Sequence, residues 1–96
     1  MISSFSDATT SDLFERKKSA RARKFPPDVR ERALDKLDLL NAVISLDDLR
    51  KIPGNKLEAL KGDLAGNHSI RINDQWRVVF KWEGSDANEV RIEDYH

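Results

Sequence analysis

The chain has 96 residues, 35% of them charged and 39% hydrophobic, and it has no cysteine. That is enough for one domain over residues 1–96, and it excludes disulfides and cysteine-based zinc sites. Seventeen basic residues balance seventeen acidic ones, which argues against a general nucleic-acid binder.

The charge is nevertheless segregated. Residues 1–24 carry six basic and three acidic side chains, residues 53–82 five and three, and residues 83–96 one and five. Such a distribution can leave a local positive surface on a neutral protein. No apolar run approaches the roughly 20 residues of a membrane helix. The opening "MISSFSDATTSDLF" has neither a basic leader nor a long apolar stretch, so a soluble, cytoplasmic protein is expected.

In chain order, Ile2–Phe5 alternates briefly and reads as a first edge strand. Ser6 followed by Asp7 resembles a helix start, with a helix running through Leu13 and Phe14 towards Ala20. Its far end, "RKKSARARK", is either a solvated helix end or a contact for RNA or an acidic partner. The stretch from Phe25 to Ile52 holds the clearest helix, started by Pro26 and Pro27. Ala33, Leu37, Leu40 and Ile44 form its apolar stripe, widened by Val29 and Leu34. The opposite face, with Arg30, Glu31, Arg32, Asp35, Lys36 and Asp38, reads as mixed-charge scaffold. A short helical turn follows Ser45 and is stopped by Pro53-Gly54-Asn55. "KLEALKGDLAGN" is then a connector. Strands are expected at His68–Ile72, Trp76–Glu83 and Glu89–Tyr95, with residues 84–88 as the last loop. This order indicates an α+β fold with N-terminal helices packed on a small, mainly antiparallel sheet.

The hairpin "SIRINDQWRVVFKW" is the most informative stretch. Uniting Ile70 and Ile72 with Trp76, Val78 and Phe80 on one face requires Asn73-Asp74-Gln75 as a three-residue loop. That register sets Arg71 directly opposite Arg77. Like charges in that position are unfavourable unless both reach water or share an anion, and spacing alone leaves both readings open. On the last strand, Val90 and Ile92 face the core, so Arg91, Glu93 and Tyr95 face the other way. His68 falls on the apolar face, as a packed and hydrogen-bonded side chain. His96 ends the chain, where an imidazole is either frayed or available for proton transfer.

Taken together, "MISSF", "PGNKLEALKG", "HSIRINDQWRVVF" and the terminal "EDYH" resemble the HigB toxins of the RelE/ParE superfamily over nearly the whole chain. The resemblance implies a RelE-like α+β fold with a concave basic sheet face. It also implies a metal-free, cofactor-free, ribosome-dependent endoribonuclease that cleaves mRNA in the decoding site. A helix-turn-helix HigA-like antitoxin would neutralise it and would carry any operator contact. By position, the family's catalytic set falls on Lys61, Arg77, Asp94, Tyr95 and His96. Lys61, Arg71 and Arg77 would bind phosphate, Arg71 as a positioning residue. Glu58 stands where some family members carry a histidine. The alternatives are a non-catalytic ParE-like gyrase inhibitor and an inert interaction module of the same fold.

Overall fold

The computed structural model describes residues 1–94. Helices α1 (Ala8–Phe14), α2 (Pro27–Ala42) and α3 (Leu46–Arg50) precede strands β1 (Glu58–Ala59), β2 (Asn67–Arg71), β3 (Trp76–Glu83) and β4 (Asp86–Asp94). The strands form one antiparallel sheet in sequence order. This is the α+β arrangement expected.

Helix α1 starts at Asp7, whose carboxylate accepts from the Thr10 amide at 2.7 Å. It stops six residues short of Ala20 because Arg16 adopts a left-handed conformation, φ 57°. The Arg16 amide then donates to the Leu13 carbonyl and the Lys17 amide to the Asp12 carbonyl. This is the Schellman pattern, here without its usual glycine. "RKKSARARK" is therefore a loop with one 3-10 turn, Ala22–Lys24, and not a helix end. Arg16 pairs with Asp38 at 2.8 Å and Arg21 with Asp12 at 3.3 Å.

Pro27 opens α2, and Val29, Ala33, Leu37 and Leu40 are buried along one stripe. Ile44 is not part of that stripe. The helix ends at Ala42, and Ile44 is 74% exposed. The stripe packs in one core cluster with Ile70, Val78, Phe80, Val90 and Ile92 from the sheet. Phe25 closes its lower end, edge-on to Trp76 with ring centres 5.0 Å apart. Full burial of Leu37 makes Leu37→Ala a loss of about 2–5 kcal/mol.

The N-terminal segment lies parallel to β4 through bridges at Ile2–Ala87 and Phe5–Val90 rather than forming a full strand. Glu89, at φ 51°, interrupts the pairing of β4 with β3, a bulge that sets Glu89 and Val90 against Phe80. The bulge shifts the alternation of β4, so Ala87, Val90 and Ile92 all reach the core. The last hairpin turns on Gly84-Ser85 alone, with Glu83 opposite Asp86, so β4 begins earlier than expected. The connector also contributes a strand that sequence patterning misses: β1 pairs Glu58 with Ser69 and Ala59 with His68.

Candidate functional site

The sheet has two faces. One carries Ile70, Ile72, Trp76, Val78 and Phe80 towards the helices. The other presents two cross-strand rows, Glu58–Ser69–Val79–Arg91 and Arg71–Arg77–Glu93.

The register is the one the hairpin pattern requires: Ile70 opposite Val78 and Arg71 opposite Arg77. Asn73 holds the three-residue loop, its side-chain oxygen accepting from the amides of Gln75 and Trp76 at 2.8 Å each. The Ile72 amide donates to the Trp76 carbonyl at 2.9 Å. The neighbouring Arg71–Arg77 step is then of the non-hydrogen-bonded kind, with Cα atoms about 4.5 Å apart and side chains close.

The environments of the two arginines differ. Arg77 is only 6% exposed. Its Nε donates to Ser69 Oγ at 2.7 Å, and Nη2 donates to the Lys56 carbonyl at 2.6 Å and the Ser69 carbonyl at 3.3 Å. Lys56 aims its carbonyl there from a left-handed conformation, φ 43°, two residues before β1 begins. Arg71 keeps a side-chain exposure of 29% and pairs with Asp74, which is 99% exposed at the loop tip. The hydrogen bond from Arg71 holds the Asp74 carboxyl below its ordinary range, and Lys56 and Arg32 add to the effect.

Further along this face, Arg91 donates to Glu93 Oε1 and Asn67 Oδ1, both at 3.1 Å, and Lys81 pairs with Glu89 at 2.9 Å. The basic face is therefore partly neutralised at its β4 side. The Arg71 end is more open.

The other expected residues fall as follows. Lys61 is exposed between β1 and a 3-10 turn, Gly62–Leu64; its carbonyl accepts from the Leu64 amide at 3.3 Å, and among the described residues its side chain has no hydrogen bond or ion pair. Asp94 stands opposite Trp76, on the face away from Arg77, and accepts from Gln75 Nε2 at 3.2 Å. Glu58 is exposed on the arginine face, across from Ser69. Tyr95 and His96 lie outside the described residues. Ser69 and the Lys56 carbonyl are the parts that sequence reasoning missed. Ser69 had a signal, being a small hydroxyl two residues before Arg71 and on the same face.

His68 packs against Phe80, ring centres 6.2 Å apart, as expected. Among the described residues, however, its Nδ1 has no hydrogen-bond partner. Burial, and secondarily the charge of Arg50, pushes its pKa down. Among the described residues no group of three or more His, Cys, Asp or Glu side chains could hold a metal ion. No described helix is long and apolar enough to cross a membrane.

Comparison with known proteins agrees with this architecture. The family described as "RelE-like toxin of type II toxin-antitoxin system HigB" matches residues 3–96. The chain is 38% identical over 82 residues to Toxin HigB-1 of Vibrio cholerae serotype O1, covering 85% of this chain and 84% of the relative. It is 33% identical to Endoribonuclease HigB of Proteus vulgaris across the full length of both chains. Among solved structures, the YoeB-YefM complex from Staphylococcus aureus superposes with a TM-score of 0.61 at 16% identity, covering 100% of this chain and 98% of that one. The YoeB/ParE toxin from Agrobacterium tumefaciens gives a TM-score of 0.55 at 20% identity, covering 99% and 100%. At those identities the structural likeness concerns the fold.

Proposed function

Because the chain belongs to the HigB-like, RelE-family toxins of type II toxin–antitoxin systems, and so implies a cognate antitoxin, we propose that it is an endoribonuclease cleaving messenger RNA in the decoding site of the small ribosomal subunit. The observation that carries this reading is the Arg71–Arg77 step, with the Arg77 guanidinium fixed from below by Ser69 and the Lys56 carbonyl. The name of the Proteus vulgaris relative supports the same activity.

In this reading the scissile phosphodiester lies over Arg77. The ribose 2′-oxygen attacks phosphorus as its proton leaves to a base. The P–O5′ bond breaks, and an acid protonates the departing 5′-oxygen, giving a 2′,3′-cyclic phosphate and a 5′-hydroxyl. Charge builds on the non-bridging oxygens, and a guanidinium already oriented and partly desolvated stabilises it with little reorganisation. Arg71 positions the strand, and Lys61 supplies a further cation. His96 is assigned to proton transfer and Tyr95 to stacking on a splayed base or aligning the phosphate. Asp94, on the far face from Arg77, is assigned to orienting His96 rather than to touching the phosphate. The antitoxin would be a HigA-like helix-turn-helix protein, which alone would contact operator DNA.

The test is incubation with programmed ribosomes and mapping of RNA ends. Cut message with 2′,3′-cyclic phosphate termini is expected. Intact message at micromolar protein, especially with DNA damage on induction in cells, would contradict the reading and favour action on gyrase.

A further inference from the structure

The charged face of α2 is more than scaffold. Arg32, Asp35, Lys36 and Leu39 follow i, i+3, i+4, i+7 spacing and so share one stripe. With Gly54, Arg71 and Ile72 they line a cleft of about 350 Å³ between the helix and the arginine end of β2. Three cations thus converge in a lining that holds one carboxylate, Asp35, with a second, Asp74, paired to Arg71 at its edge.

Lys36 is held in place there. Its Nζ donates to Asn55 Oδ1, and Asn55 is itself fully buried, with Nδ2 donating to the Leu49 carbonyl at 3.0 Å. A buried amide so anchored leaves the ammonium little freedom to swing out to water. Burial first, and the like charge of Arg71, pull the Lys36 pKa down, with Asp35 opposing them. The Arg32 side chain has no hydrogen bond or ion pair among the described residues, and the carboxylate on Arg71, which the Arg32 charge also reaches, is the solvent-exposed Asp74. Lys36 and Arg71 are half-buried and Arg32 is exposed beside them; like charges gathered around a partly desolvated ammonium favour an anion that shares them.

We propose that this cleft is a second phosphate site, taking a phosphodiester of the RNA strand adjacent to the one over the Arg71–Arg77 step. The inference rests on the RNA reading above. A phosphate fits better than a lone carboxylate because donors approach from two walls, and guanidinium forks match tetrahedral oxygens. Arg71 belongs to both sites, so a strand crossing it places one phosphate on each side. Asp35 keeps the affinity moderate.

The test is anisotropy of a fluorescent, 2′-O-methyl oligoribonucleotide, which cannot be cleaved, titrated with the full chain at several salt concentrations. The double variant Arg32→Gln/Lys36→Gln is expected to bind about tenfold more weakly. Its slope of log affinity against log salt should become shallower by about 0.7 for each phosphate no longer neutralised. Lys36→Arg should retain wild-type binding, and Asp35→Asn should bind several-fold more tightly. An unchanged affinity and slope in a double variant that melts like wild type overturns the proposal.

NMR titration with inorganic phosphate, following the Lys36 ammonium and the Arg32 and Arg71 guanidinium signals, separates this inference from the nuclease reading. Shifts at all three without any cleavage on ribosomes would leave the anion site standing and remove its RNA occupant. Cleavage with unmoved signals would remove the cleft alone. Displacement of the oligonucleotide by poly-glutamate as effective as that by unlabelled RNA of equal charge would assign the cleft to an acidic protein and overturn the proposal.

Discussion

Arg71 and Arg77 face each other across one step of the same hairpin, yet they sit in different kinds of structure. The region around Arg77 is a closed polar frame. Its guanidinium is buried and held by Ser69 Oγ, the Ser69 carbonyl and the Lys56 carbonyl. The region around Arg71 is open, bounded by an exposed carboxylate on one side and a cationic cleft on the other. A cation with fixed geometry suits a developing charge, whereas one with freedom suits capture and alignment of a strand. Register alone therefore does not assign roles to paired charges. What lies beneath them does.

Of the two sides of this step, breaking the frame should have the larger effect on stability. Arg77→Met leaves Ser69 and two carbonyls without their donor, and a loss of about 2–3 kcal/mol is expected in urea unfolding. Arg71→Gln removes an exposed interaction and should change stability by less than about 0.5 kcal/mol. Equal losses in the two variants would erase the distinction.

Ser69→Ala sharpens it further. Arg77 keeps its charge but loses the partner of Nε, so about 1 kcal/mol of stability and roughly tenfold of cleavage rate should disappear together. An unchanged rate would show that the orientation of Arg77 is set elsewhere.

On the opposite face of β2, His68 gives the smallest effect. Its pKa lies below the ordinary 6.5, chiefly through burial, so the folded state favours the neutral ring. As pH falls through 6.5 the unfolded chain takes up the proton first. Stability is therefore full above that value and declines below it. Urea midpoints measured from pH 7.5 to pH 5 should fall less steeply in His68→Phe than in wild type. Parallel curves would mean that His68 does not set this dependence.

Much of this molecule was legible in the sequence because its signals are periodic. The alternation of β2 and β3 specified the register that opposes the arginines, and the stripe of α2 marked Ala33, Leu37 and Leu40. What escaped has one common physical cause. Arg16, Lys56 and Glu89 adopt left-handed conformations without being glycine. They respectively end α1 early, turn a carbonyl towards Arg77 and bulge β4. Side chains of these types carry no local mark of that backbone state, which tertiary contacts must sustain. The two-residue β1 was hidden for a related reason, being too short for any period to show.

The division of labour between the two arginines is the central claim, and single-turnover cleavage on programmed ribosomes tests it most directly. With enzyme concentration varied, Arg77→Gln should lower the maximal rate by two to three orders of magnitude, about 3–4 kcal/mol of transition-state stabilisation. Arg71→Gln should leave the maximal rate within a few-fold of wild type and raise the half-saturating concentration about tenfold. The reverse pattern, or the same loss of maximal rate in both, would contradict the account.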